Sequence, residues 1–202
     1  MNENFIAEAL ASLSQADTDV ARALAQVGHP PPRIRPAGFE TLLHTIVSQQ
    51  ISVEAARAIM GRLRTLVDPL TPQQLLEFDT ESLRQAGLSA RKVEYAQGLA
   101  AAICNKDLDI ESLGTMDDES AIAAITQLRG FGRWSAEIYL MFSLQRVDIF
   151  PADDLALRIA LGRMKGLDKP TPKQCRELTA HWSPWRSVGS LLLWHYYRGA
   201  PT

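Results

Sequence analysis

The chain has 202 residues, of which 46% are hydrophobic and 22% are charged, with a formal net charge of −2 and two cysteines. This composition is typical of a globular protein with a real core, and no apolar run is long enough to span a membrane. The N-terminus lacks the basic start and apolar stretch of a secretory signal. Two cysteines argue against a disulfide scaffold and exclude a four-cysteine iron–sulfur cluster. The sequence therefore predicts an intracellular protein.

Apolar residues recur at helical spacing along almost the whole chain, and no segment shows the alternation of a strand. The pattern predicts N-terminal helices at about 5–13 and 18–27, with Asp17 or Thr18 as a cap, followed by a stiff proline-rich connector at 28–32. Further helices are predicted at 39–49, 52–66, from 72 onward, 81–86, 90–104, 119–127, 134–144, 155–164, 172–180 and 184–197. The predicted fold class is all-α.

The charges are unevenly distributed along the chain. Residues 1–154 contain 13 Lys/Arg and 21 Asp/Glu, a net charge of −8, whereas residues 155–202 contain 8 and 2, a net charge of +6. Such a gradient could steer a polyanion to one face. From charge alone, an unevenly charged solvated surface is the simpler interpretation.

A short glycine-containing segment, Leu128–Gly132, is followed by a predicted helix. Glycine allows the tight hairpin, and the first N–H groups of a helix are a ready site for phosphate. We therefore predict a phosphate-binding segment formed by Gly130, Phe131, Gly132, Arg133 and Trp134. A loop at residues 145–152 then brings Asp153-Asp154 to the start of the next helix. A phosphate cradle followed by an exposed acid predicts an enzyme that acts on DNA.

These motifs resemble the helix-hairpin-helix DNA glycosylase superfamily, whose signature is a Leu-Pro-Gly-Hyd-Gly hairpin, a helix, a proline-containing loop and a catalytic aspartate. Within it, the chain is most similar to the 3-methyladenine DNA glycosylase II branch, and the resemblance covers about residues 38–198. Arg129 stands where the family usually has proline. The matching segments are Gly130–Ala136, Phe150–Leu155, Trp182–Ser187 with Trp194, and Ser48–Ser52.

The resemblance implies two helical lobes with a DNA-binding cleft between them. The central lobe would comprise residues 38–150, with the hairpin motif at about 120–144, and the second lobe residues 1–33 plus 151–202. The implied activity is that of a monofunctional DNA glycosylase, a hydrolase that releases alkylated purines such as 3-methyladenine and 7-methylguanine in base excision repair by base flipping. The implied partner is double-stranded DNA with alkylated bases, and the implied state is a monomer away from membranes, cytoplasmic or, in a eukaryote, nuclear.

The catalytic group implied by the family is an aspartate. The register of the following helix favours Asp154, whereas counting from Pro151 favours Asp153, which is the second choice. A carboxylate at a helix start stays ionised, so it can stabilise an oxocarbenium-like sugar and orient the attacking water. An aspartate that merely caps the helix would give the same local sequence.

The resemblance also implies an aromatic base pocket, because a ring face attracts the cationic purines that alkylation produces. Trp134 and Trp194 match positions that line the pocket in the family, and Tyr139 is a further candidate, as is Trp185. Ile138 stands where the family has an aromatic residue, which would reshape the pocket.

Two further roles follow from the family. Gln50, with Gln49 beside it, matches the side chain that wedges into the duplex, although the segment could also be a simple polar turn. No cofactor is expected to be required, but the hairpin could hold a structural Na⁺ or K⁺ through the main-chain carbonyls of Thr126, Leu128 and Phe131.

Trp134 occupies the position where bifunctional relatives carry a lysine nucleophile, so we expect base removal without AP lyase activity. Two alternative functions stay open at this point: a glycosylase for another lesion, oxidised or deaminated, and a non-catalytic helix-hairpin-helix DNA-binding module.

Overall fold

The computed structural model describes residues 1–199, and these residues form helices and no strand, so the predicted all-α fold is confirmed. None of the described helices is long and apolar enough to cross a lipid bilayer. Short 3₁₀ turns lie at Ser112–Gly114 and Ala180–Trp182. The α-helices are α1 Glu3–Ala16, α2 Thr18–Val27, α3 Phe39–Val47, α4 Val53–Leu66, α5 Pro72–Leu76, α6 Thr80–Gln85, α7 Ala90–Cys104, α8 Asp118–Thr126, α9 Arg133–Phe142, α10 Leu155–Lys165, α11 Pro172–Leu178 and α12 Arg186–Gly199.

Helices α3, α9 and α11 each end earlier than the sequence predicts. Helix α3 stops at Val47, because Gln50 takes a backbone φ of 57°, which an α-helix cannot contain. Helix α9 stops at Phe142 for the same reason, since Gln145 also has a φ of 57°. The side chain of Gln145 then caps the helix by donating to the Phe142 carbonyl at 2.7 Å.

The chain divides into two compact units, and the second boundary falls inside α9. The central unit is Arg35–Tyr139, and the terminal unit is Met1–Ile34 with Leu140–Thr202, of which the last three residues lie outside the described range. Residues 140–150, which we expected in the central lobe, thus group with the terminal unit. The cause is visible at Ser187, whose N–H donates to Val147 at 3.0 Å and whose hydroxyl accepts from Ile149 at 2.9 Å.

In the terminal unit, α12 packs against α1, α2 and α10. A buried charge network ties α2 to the C-terminal part of the unit. Asp17 caps α2 and accepts hydrogen bonds from Lys165 at 2.6 Å and from the indole of Trp182 at 2.8 Å, and His181 lies 3.0 Å away. Burial by itself would raise the pKa of Asp17, but these partners outweigh it and hold that pKa at about 2.

In the central unit, α7 packs against α3, α5 and α6. Its apolar face, which includes Val93, Ala96 and Leu99, is fully buried. The same helix also contacts the end of α3, because Lys92 donates from Nζ to the carbonyl of Val47 at 2.7 Å. A cation at a helix C-terminus satisfies a carbonyl that has no partner within its helix. This contact holds the turn that follows α3 in place.

Candidate active site

Asp154 lies at the N-terminus of α10 and is half-buried. Its Oδ1 accepts the N–H of Leu157 at 2.9 Å and the indole N–H of Trp194 at 3.2 Å. These two hydrogen bonds fix the carboxylate oxygen between the first turn of α10 and the indole on α12. The structure therefore brings together two of the predicted site residues, Asp154 and Trp194, which are 40 positions apart in the sequence.

The neighbouring Asp153 has a different environment. Its carboxylate lies 3.5 Å from the guanidinium of Arg176, and both side chains are exposed to similar extents, 46% and 43%. An exposed ion pair of this kind contributes little to stability. Asp153 thus faces a solvated cation, whereas Asp154 is held by an aromatic side chain.

The indole of Trp194 is almost fully buried, with 9% exposed, and two side chains lie against it. The ring of Phe142 is 5.7 Å away, centroid to centroid, and the guanidinium carbon of Arg33 lies 5.8 Å from the Trp194 centroid. Neither Phe142 nor Arg33 is among the site residues predicted from the sequence. Trp185, the additional pocket candidate, packs edge-on against Phe5, with ring centroids 5.4 Å apart.

The hairpin between α8 and α9 closes by a hydrogen bond from the N–H of Phe131 to the carbonyl of Leu128, at 3.1 Å. Gly130 has a φ of +96°, and a Cβ built on it would lie 2.5 Å from the ring of Tyr95 on α7. Only glycine fits at this point, because both the backbone angle and the approach of the ring exclude a side chain. Gly132 has open space around it.

The arginines of the hairpin are engaged in ion pairs. Arg133 contacts Glu119 at 2.5 Å and the buried Glu137 at 2.9 Å, while Arg129 pairs with Glu94. The hydrogen bonds from Arg133 to Glu119 are the main reason that the pKa of Arg133 lies above its usual range, with Glu137 adding to it and burial opposing it. Both arginines of the hairpin are thus engaged with acidic side chains.

The predicted wedge segment, residues 48–52, forms a turn after α3. Gln49 donates from its amide to the carbonyl of Gly130 at 2.7 Å, so this side chain holds the turn against the hairpin. Gln50 is exposed at the tip. Next to it, Ile51 is 37% exposed, and we did not predict a role for this residue from the sequence. An apolar residue inside a polar turn was the signal that could have marked it.

Helix α9 carries three of the predicted pocket residues. Trp134 is 41% exposed in the first turn, which is unusual for so large an apolar side chain. Ile138 and Tyr139 are buried, at 7% and 2% exposed. The hydroxyl of Tyr139 accepts the N–H of Gly38 at 2.9 Å, and burial raises the pKa of Tyr139 against the opposing effect of that bond.

No group of three or more His, Cys, Asp or Glu residues that could hold a metal ion exists within residues 1–199. The carbonyls of Thr126, Leu128 and Phe131 are the candidate ligands for a monovalent cation, and they lie on the last turn of α8 and in the hairpin. Each carbonyl oxygen has two lone pairs, so Leu128 can accept the Phe131 N–H and still coordinate a cation. Neutral carbonyl oxygens fit Na⁺ or K⁺.

Comparison with known proteins gives consistent results. The family described as "HhH-GPD superfamily base excision DNA repair protein" matches residues 43–184. The chain is 32% identical to DNA-3-methyladenine glycosylase 1 of Schizosaccharomyces pombe, over 77% of this chain and 71% of that protein. It is 29% identical to DNA-3-methyladenine glycosylase 2 of Escherichia coli, over 96% and 73%. A solved structure of an S. pombe 3-methyladenine DNA glycosylase in complex with abasic DNA superposes with a TM-score of 0.82 at 31% identity, covering 93% of this chain and 95% of that chain.

Proposed function

The chain belongs to the HhH-GPD superfamily of base excision DNA repair proteins, and on that premise we propose that it hydrolyses the N-glycosidic bond of alkylated purines in duplex DNA. Its relatives from S. pombe and E. coli carry the name DNA-3-methyladenine glycosylase, which supports this substrate class. The observation that carries the proposal is the pairing of the Asp154 carboxylate with the indole N–H of Trp194 at 3.2 Å.

The target atom of such a reaction lies inside a stacked duplex, so the nucleotide must rotate out before it can react. The N–H groups of the hairpin, from Gly130 to the start of α9, would hold the phosphate backbone during this step. Gln50, exposed at the tip of its turn, would fill the gap that the base leaves. Gln49 would then act indirectly, because its amide already binds the hairpin at Gly130.

The chemistry requires a group that manages positive charge on the sugar. When the glycosidic bond breaks, its electron pair leaves with the base and the sugar becomes oxocarbenium-like. The Asp154 carboxylate would stabilise that sugar and orient the attacking water. The ring of Trp194 would stack on the base, and an alkylated purine, already cationic, needs no separate acid to leave. Trp134 offers no amine, so base release without strand cleavage is expected.

We also propose a structural role for a monovalent cation at the hairpin. The carbonyls of Thr126, Leu128 and Phe131 would hold it, and its charge would add to the attraction of the nearby N–H groups for a phosphate. Action as a monomer, in the cytoplasm or in the nucleus of a eukaryote, stays a prediction.

The test is the release of 3-methyladenine and 7-methylguanine from alkylated DNA by the wild type and by two matched variants. Asp154→Asn should lower the rate by a factor on the order of 10²–10⁴, the usual contribution of a positioned acid–base group. Asp153→Asn removes only the exposed ion pair to Arg176 and should change the rate by less than about fivefold. Equal activity of all three proteins would refute a catalytic Asp154, and release of oxidised or deaminated bases alone would identify another lesion as the substrate.

A further inference from the structure

Arg33 directly follows the proline-rich connector, and its guanidinium lies against the rings of Phe142 and Trp194. The guanidinium carbon is 5.8 Å from the Trp194 centroid and 6.0 Å from the Phe142 centroid, both within the range of a cation–π contact. Pro30, Pro31 and Pro32 restrict the backbone that leads to it, so the side chain starts from a stiff support. A permanent positive charge thus lies next to the ring that contacts Asp154.

We propose that Arg33 is a specificity-determining residue that shifts the enzyme toward uncharged damaged bases and away from cationic ones. The inference rests on the proposed function, in which the base stacks on Trp194. Two physical effects act in the same direction. Arg33 repels a cationic base, and it also occupies the electron-rich ring that would otherwise attract such a base.

A third effect in the same direction concerns the leaving group. When the bond between C1′ and the base nitrogen breaks, both electrons go to the base, and water then adds to C1′ while its proton passes to Asp154 or to solvent. A cationic purine leaves as a neutral molecule, whereas a neutral purine such as hypoxanthine leaves with a negative charge. The guanidinium of Arg33 stabilises that anion and has no equivalent role for the neutral product.

The ratio of kcat/KM for a cationic base to kcat/KM for a neutral base reports how Arg33 responds to the charge of the base. The sugar cation and the Asp154 carboxylate are common to both substrates, so any effect of Arg33 on them cancels in the ratio. A cation–π contact of this kind corresponds to a change of about 2- to 30-fold in such a ratio.

The experiment measures kcat/KM for duplexes of one sequence that contain either 7-methylguanine or hypoxanthine at the same position. The variants are Arg33→Met and Arg33→Gln, which remove the charge with different shapes, and Arg33→Lys, which keeps it. The matched control is Arg163→Met, because the Arg163 guanidinium lies 5.7 Å from the Tyr197 ring in the same unit. Thermal unfolding identifies any variant that fails to fold, in which case the other neutral variant is used.

We expect the ratio of 7-methylguanine to hypoxanthine removal to rise about tenfold in the neutral variants, within the cation–π range given above, and to stay within about threefold in Arg33→Lys and Arg163→Met. An unchanged ratio in the folded neutral variants would overturn the role of Arg33 while leaving the glycosylase intact. An equal rise in Arg163→Met would overturn it too, by showing a general effect of net charge. If the wild type released neither base, the proposed function itself would fall, and the inference with it.

Discussion

Gly130→Ala is the substitution whose effect follows most directly from the structure. At a φ of +96° an alanine is strained by about 1–2 kcal/mol relative to glycine. Its Cβ would also lie 2.5 Å from Cδ2 and 2.7 Å from Cγ of the Tyr95 ring, and overpacking of this kind costs about 1–3 kcal/mol. The two effects together predict that the hairpin loses about 2–5 kcal/mol of stability.

The matched control is Gly132→Ala, two residues along the same hairpin. A Cβ at Gly132 has nothing within 4 Å and the backbone is outside the positive-φ region, so this variant should be neutral or stabilised by up to about 1 kcal/mol. Urea denaturation followed by circular dichroism gives the change in stability, and fluorescence anisotropy gives the affinity for duplex DNA. Replacing Tyr95 by alanine in the Gly130→Ala background should relieve the overpacking against the ring but leave the backbone strain in place. Identical urea midpoints for the two glycine variants would refute the reasoning.

Three further outcomes are expected. Gln49→Met removes the hydrogen bond from the Gln49 side chain to the Gly130 carbonyl, and an acceptor left unsatisfied costs about 1–3 kcal/mol. We therefore expect kcat on damaged DNA to fall about tenfold while the affinity for undamaged DNA is retained. An unchanged kcat would contradict this. Trp194→Phe keeps a ring but loses the N–H donor to Asp154, and kcat should fall about tenfold in steady-state assays, whereas a change in KM alone would argue against this role. The pKa of Asp17 is lowered to about 2, so its ionised form stabilises the folded protein. This contribution to the free energy of unfolding, on the order of 2 kcal/mol, is present above the pKa of an aspartate in the unfolded chain and is lost as the pH falls toward 2. Urea midpoints between pH 7 and pH 2.5 should show this loss, and Asp17→Asn should flatten the profile.

The sequence alone predicted the helices well because the signals that start them are local. The ranges expected for α2 and α7 coincide with the observed ones, since Asp17 and Ser89 accept the N–H groups of the first turn and Gly28 ends α2. A cap acts over three or four residues, so it can be recognised without knowledge of the fold. The ends of α3 and α9 were predicted too late, because no local pattern reveals that a glutamine will take a positive φ.

The same reasoning explains which parts of the site were foreseen. The hairpin, the aspartate pair and the tryptophans were found from motifs, each of which spans a few residues. The contacts that distinguish among them are between residues far apart in the chain. Asp154 is held by Trp194, Gln49 reaches Gly130 across 81 positions, and the guanidinium of Arg33 lies on the Trp194 ring.

Sequence therefore determined the helices, the family and the candidate residues, whereas only the tertiary structure decided their partners. Asp153 and Asp154 are adjacent and chemically identical, and what separates them is that one meets Arg176 and the other Trp194. The physical reason is range: capping and helix propensity act within one turn, but the environment of a charge is set by whichever side chains the packed helices bring within a few ångströms of it.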